Sequence, residues 1–190
     1  MKNVYFLHGV ETLDAKNSIG LLSEYFHMPP FKSFILDYGW IPIVLANFLN
    51  FFILKKLKKE VVPGQICLGH SNGCALFWML AHKIDIEGLI LVNPALDNDV
   101  EFPASIRFIH IYWSPKDEIS WLSQFVPFSA WGLMGQTGYR GKPDARVKQF
   151  DMEVGHMDIH EREVRAKWGP IMVQNIKNEY GFGNQTPSEK

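Results

Sequence analysis

Cysteine is scarce in this chain. Cys67 and Cys74 are the only two among 190 residues. That is too few for a disulfide scaffold, and both lie in apolar stretches that read as buried free thiols. A surplus of charge is missing as well. Nineteen Lys and Arg stand against 20 Asp and Glu, for a net charge of -1. A nucleic-acid binder usually carries a basic excess, so that class is set aside. No apolar run is long enough to cross a bilayer: the longest, Ile41 to Leu54, is broken by Pro42, Asn47 and Asn50, against the roughly 20 residues a span needs. The opening residues Met1 to Gly9 do not read as a signal peptide, because their apolar run ends at once in His8-Gly9. Internal repeats, glycine-rich phosphate loops and zinc-ligand spacings are also missing. These absences predict a soluble protein in a cytoplasmic setting.

What is present is material for a core. Hydrophobic residues make up 47% of the chain and charged residues 21%, which excludes a mainly disordered polymer. The length predicts one domain over residues 1–180, with a frayed tail at 181–190. Short apolar runs at Val4–Leu7, Ser33–Leu36, Gln65–Leu68, Gly88–Val92, Arg107–Trp113 and Val147–Met152 read as strands. Helical patterns fall between or after them, at 14–26, 44–61, 74–83 and 161–179. In the 44–61 helix the spacing of Leu45, Phe48, Leu49, Phe52 and Ile53 predicts one apolar side. Alternating strands and helices imply an α/β fold: a three-layer α/β/α sandwich on a mostly parallel sheet of about six strands. In such sheets functional groups gather at the carboxyl ends of the strands.

The chemical signal is Gly69-His70-Ser71-Asn72-Gly73, a Gly-x-Ser-x-Gly pattern between a strand and a helix. A serine on so sharp a turn projects its hydroxyl above the sheet edge. Flanking glycines are needed because backbone segments crowd there. The backbone N–H of Asn72, opening the helix, is then available to a developing oxyanion. A serine hydroxyl needs a base and a group to orient that base. Asp117 and His156 each follow a later strand, in the order Ser, Asp, His expected of this arrangement. Asp97 and Asp99 are rival acids, and His160 is a rival base expected one helical turn away from the sheet edge. His8, His70 and His110 read as structural groups.

On these residues the chain resembles a small α/β-hydrolase from Val4 to its final helix. Its compactness is similar to that of the cofactor-free serine hydrolases related to retinoblastoma-binding protein 9. The resemblance implies a Ser71–His156–Asp117 triad and an oxyanion hole in which Val10, following His8-Gly9, donates beside Asn72. It implies a small-molecule acyl substrate and no metal or organic cofactor. Acyl transfer, thioester or peptide cleavage, and a binding protein without turnover are the alternatives. Two departures stand out: the family's leading strands and its usual cap after the fourth strand are absent. The 118–146 connection, carrying Trp121, Phe125, Phe128, Trp131 and Tyr139, is the candidate cover. Tyr38 and Trp40 are candidate pocket walls. Lys55, Lys56, Lys58 and Lys59 read most simply as a solvated helix end, with contact between the 41–59 helix and a membrane surface as the other reading. Oligomeric state is left open.

Overall fold

Apolar residues of alternating orientation build a six-stranded sheet in the computed structural model, which describes residues 1–10, 19–42, 45–119 and 131–182, the side chain of Asn47 apart. The strands are β1 (Lys2–Leu7), β2 (Phe31–Leu36), β3 (Gln65–His70), β4 (Ile86–Val92), β5 (Phe108–Trp113) and β6 (Val147–Asp151). Their order is β2-β1-β3-β4-β5-β6, and every pairing is parallel. The expectation of a mostly parallel sheet is therefore met by one that is parallel throughout. The helices are α1 (Ala46–Glu60), α2 (Asn72–Ala81), the short α3 (Met134–Thr137) and α4 (Arg162–Glu179).

Period-two alternation divides the core between the two faces of the sheet. Tyr5, Leu7, Cys67, Leu89, Leu91, Ile109 and Ile111 pack on one face with α1 and α2. Val4, Phe6, Ile66, Leu68, Ile90 and Val92 pack on the other with α4 and the segment Ile19–Phe26. Burying each such side chain contributes about 1.5–3 kcal/mol before the entropy of ordering it is subtracted. Both cysteines are buried and free.

The chain direction reverses between β1 and β3: β2 lies on one side of β1, and the chain then continues on the other. A crevice opens above the carboxyl ends at such a switch point. Register places Leu7 beside Gly69 and His70 beside Val92. The loop after β1 and the turn after β3 therefore meet at that crevice.

Two expectations need correction. The described part of the 14–26 helix, Ile19–Phe26, is a 3-10 helix, and residues 11–18 lie outside the described residues. The buried face of α1 is also not the expected one. Ala46, Asn50, Ile53 and Leu57 face the sheet, while Leu45, Phe48, Phe51 and Phe52 are exposed. The helix is apolar nearly all round over its first half, so periodicity alone could not set its rotation. The phase is set by Asn50, whose side-chain amide pairs with the buried amide of Asn72. Of the tail, residues 183–190 lie outside the described residues, as do Trp121, Phe125 and Phe128.

Candidate active site

Ser71 sits between β3 and α2 with φ +53° and ψ -122°. A positive φ in a residue with a Cβ costs about 1–3 kcal/mol and persists only where its surroundings enforce it. Here its N–H donates to the Val92 carbonyl at 3.1 Å, and its carbonyl accepts from the Cys74 and Ala95 N–H groups at 3.0 and 3.2 Å. The flanking glycines permit the crossing. A Cβ on Gly69 would lie 2.7 Å from the Cys74 nitrogen, and one on Gly73 would lie 2.7 Å from the His8 carbonyl oxygen. Both contacts are too close for a real side chain. Gly9 approaches from β1, and a Cβ there would lie 2.9 Å from the Ser71 Cβ. Ser71 and Gly9 thus come together at the switch point, and the half-buried Val10 follows Gly9 in the chain.

Asn72 opens α2, and its backbone N–H has no acceptor within the helix. Its side chain is turned into the body of the protein. Asn50 and Asn72 exchange reciprocal amide hydrogen bonds, each of 3.0 Å, and Trp131 Nε1–H donates to Asn72 Oδ1 at 2.8 Å. All three side chains are buried. This network joins the turn to α1 and to Trp131 within the 118–146 connection, whose stretch 120–130 lies outside the described residues. The sequence reading missed Asn50. Its signal was a lone amide on an otherwise apolar face, which needs a partner when buried.

His156 lies in the loop between β6 and the 3-10 turn Asp158–His160. Its Nδ1 is 2.9 Å from both oxygens of Asp117. A carboxylate accepts only, so Nδ1 carries the proton and Nε2 is left as an acceptor. Asp117 follows β5 and is fully buried. Its carboxylate also accepts from the Ile119 N–H at 3.2 Å and from Asn93 Nδ2 at 3.1 Å. Asn93, at the end of β4 with φ +44°, is a second group that the sequence reading did not assign. The rivals Asp97 and Asp99 are exposed. No hydrogen bond joins Ser71 Oγ to His156 Nε2 among the described residues, although both side chains lie at the carboxyl end of the sheet. Such contacts commonly tighten only when substrate is bound.

His70 links the turn to the histidine loop. Its Nε2 donates to the His156 carbonyl at 3.0 Å, and its ring packs 4.9 Å from that of His156. Burial, aided by the neighbouring rings of His160 and His156, holds His70 well below the ordinary pKa of histidine. His160, in the 3-10 turn Asp158–His160, was expected away from the sheet edge; instead its ring packs 4.8 Å from that of His70, which ends β3. His8 shapes its own loop: Nδ1 meets the Gly9 carbonyl at 2.7 Å, and the ring stacks on Tyr38 at 4.0 Å. The Tyr38 hydroxyl donates to the His8 carbonyl at 2.9 Å.

A cavity of about 650 Å³ opens beside His156, between the acid turn and the histidine loop; Lys116, Ile119, Met157 and Asp158 help line it. No group of three or more His, Cys, Asp or Glu residues among the described ones could hold a metal. No helix among them is long and apolar enough to cross a membrane.

No family model and no curated protein matches this sequence. Solved structures match its fold. The chain is similar to mouse alpha/beta hydrolase domain-containing protein 10 at 13% identity and a TM-score of 0.62, covering 93% of this chain and 90% of that one. It is similar to a putative hydrolase of the alpha/beta superfamily from Xanthomonas campestris at 15% identity and a TM-score of 0.56, covering 92% and 99%. It is also similar to a monoacylglycerol lipase from Paleococcus ferrophilus at 12% identity and a TM-score of 0.60, covering 93% and 94%. The fold is that of a minimal α/β-hydrolase. The matched proteins carry several different names, so they define the fold and no subfamily within it.

Proposed function

We propose that the chain is a serine hydrolase that cleaves a carboxylic ester or a related acyl bond. The observation that carries this reading is the strained backbone of Ser71 on a glycine-flanked turn, at the same sheet edge as a buried His156–Asp117 pair. A fold spends such strain where a side chain must be presented.

In this mechanism Ser71 Oγ attacks the acyl carbonyl as its proton passes to His156 Nε2. Asp117 holds the imidazole by its Nδ1–H and stabilises the imidazolium. The backbone N–H groups of Val10 and Asn72 receive the oxyanion; one such donor contributes roughly 3 kcal/mol to lowering the barrier. Collapse expels the alcohol, which takes the proton from His156 and leaves an acyl group on Ser71. A water molecule, deprotonated by His156, attacks the acyl carbonyl. The acid leaves, and the proton returns to Ser71. No step calls for a metal or an organic cofactor. Asn93 and His70 act as positioning residues, Asn93 through the carboxylate of Asp117 and His70 through the main chain of His156.

Labelling with a fluorophosphonate probe tests this reading. The wild type is expected to label and Ser71→Ala to stay blank. An unlabelled wild type alongside labelled control hydrolases would refute it. A chain-length series of p-nitrophenyl esters then reports the acyl preference.

A further inference from the structure

The outer face of α1 carries three exposed phenylalanines side by side. Phe48, Phe51 and Phe52 are 71%, 63% and 56% exposed. They form one ridge: the ring centroids of Phe48 and Phe52 are 5.7 Å apart, as are those of Phe51 and Phe52. Leu45 extends the ridge toward the helix start, and Trp40 is exposed in the loop before it. Three neighbouring phenyl rings in water are costly, and such a patch normally meets a partner.

The chemistry of that partner follows from what lies further along the same face. Helical spacing from Phe48, Phe51 and Phe52 leads to Lys55, Lys58 and Lys59, all exposed. None of these three makes an ion pair among the described residues. Lys56, on the flank, donates to the Asp37 carbonyl at 2.7 Å and lies 3.9 Å from Glu60. Four lysines within five residues, in a chain of net charge -1, make a local basic field rather than a general one. The face is therefore aromatic over its first half and cationic over its second. A second copy of the chain is a poor fit, because it would bring the same lysines to the contact with Glu60 as the only acid of the helix. A surface that offers hydrocarbon and negative charge together is an anionic bilayer, where phenyl rings enter the acyl boundary and lysines meet the headgroups.

We infer that the outer face of α1 docks the protein on anionic membrane surfaces, with Phe48, Phe51 and Phe52 inserted and Lys55, Lys58 and Lys59 on the lipid headgroups. The inner side of the same helix holds the nucleophile turn through Asn50 and Asn72. Docking would thus set the candidate site close to the lipid surface, but it does not depend on hydrolysis.

Cosedimentation with vesicles tests the inference. Binding is expected to vesicles of phosphatidylcholine with phosphatidylserine, to be weak on phosphatidylcholine alone, and to weaken as salt screens the lysines. The Phe48→Ser/Phe51→Ser/Phe52→Ser variant is expected to lose it. Lys55→Glu/Lys58→Glu/Lys59→Glu should lower affinity roughly 100-fold or more, since each lysine near an anionic surface contributes about a factor of five. Circular dichroism and thermal unfolding check both variants; if the serine variant fails to fold, the lysine variant decides. Wild-type binding that is absent, or unchanged in the variants, would overturn the inference. So would a concentration-dependent dimer in sedimentation equilibrium that the serine variant abolishes, because the face would then belong to a second copy.

Discussion

Two buried histidines rest on carboxylates at the same distance, but their surroundings set them different tasks. His156 Nδ1 lies 2.9 Å from Asp117, and His110 Nε2 lies 2.9 Å from Glu179. The surroundings differ. Glu179 ends α4, is half-buried, and shares its Oε1 with Lys148 at 2.6 Å. The other nitrogen of His110, Nδ1, is buried with no partner among the described residues. Asp117 is fully buried between Asn93 and the Ile119 N–H, and His156 borders the 650 Å³ cavity. A histidine–carboxylate pair is thus an ordinary structural unit. It becomes a candidate for chemistry where its free ring nitrogen can reach a substrate beside a presented nucleophile.

The sharpest break between the pairs is expected on removing the rings. His156→Ala should lower kcat for a p-nitrophenyl ester by about 10⁴–10⁶-fold, as loss of the base does in triad enzymes. His110→Ala should leave kcat within a few-fold and lower the melting temperature instead. Equal losses of activity in the two variants would erase the distinction. Replacing the acids comes next: Asp117→Asn should lower kcat about 10⁴-fold by fixing the wrong tautomer, while Glu179→Gln leaves kcat/KM unchanged. A smaller step is Asn93→Ala, which deletes one hydrogen bond to a buried carboxylate. Such a bond is worth about 1.5–3 kcal/mol, or roughly 10–100-fold in kcat. If kcat stays at the wild-type value, Asn93 does not position Asp117.

The smallest effect is on stability against pH. Burial holds His110 below its ordinary value of 6.5, outweighing the hydrogen bond it donates to Glu179 and the attraction of that carboxylate. Burial also lowers His70, and by more. A group with a lowered folded-state pKa takes its proton preferentially in the unfolded chain. Its contribution is therefore complete above about pH 6.5 and is lost as pH falls from there toward the folded value. Urea midpoints should fall between pH 7.5 and 5.5, somewhat less in His110→Phe than in the wild type. A flat profile in the wild type would remove this account of both histidines.

Much of this architecture was readable from the sequence, for particular physical reasons. The strand runs were legible because a sheet covered on both faces needs continuous apolar segments. The turn at Ser71 was legible because two close backbone crossings demand glycine at 69 and 73. The rotation of α1 was not. Asn50 is buried because Asn72, 22 residues later, supplies a matching amide, and no local pattern records that pairing. Phe48 and Phe52 looked like core because phenylalanine usually is. The contacts of Asn93 and His70 were hidden for the same reason: each reaches a residue distant in sequence, one the carboxylate of Asp117 and the other the main chain of His156.

The strained turn also bears on how the molecule assembles. Every strand pairing here is parallel, so none can form as a local hairpin, and each waits for a crossover segment to close. Ser71 can hold its unfavourable backbone only after β3 is flanked by β1, whose register partners lie about sixty residues away, and by β4. Compaction and helix content can return earlier, since neither requires the turn. In refolding from denaturant, the ability to react with a serine-directed probe should therefore be among the last properties to recover, after the circular dichroism signal has levelled off.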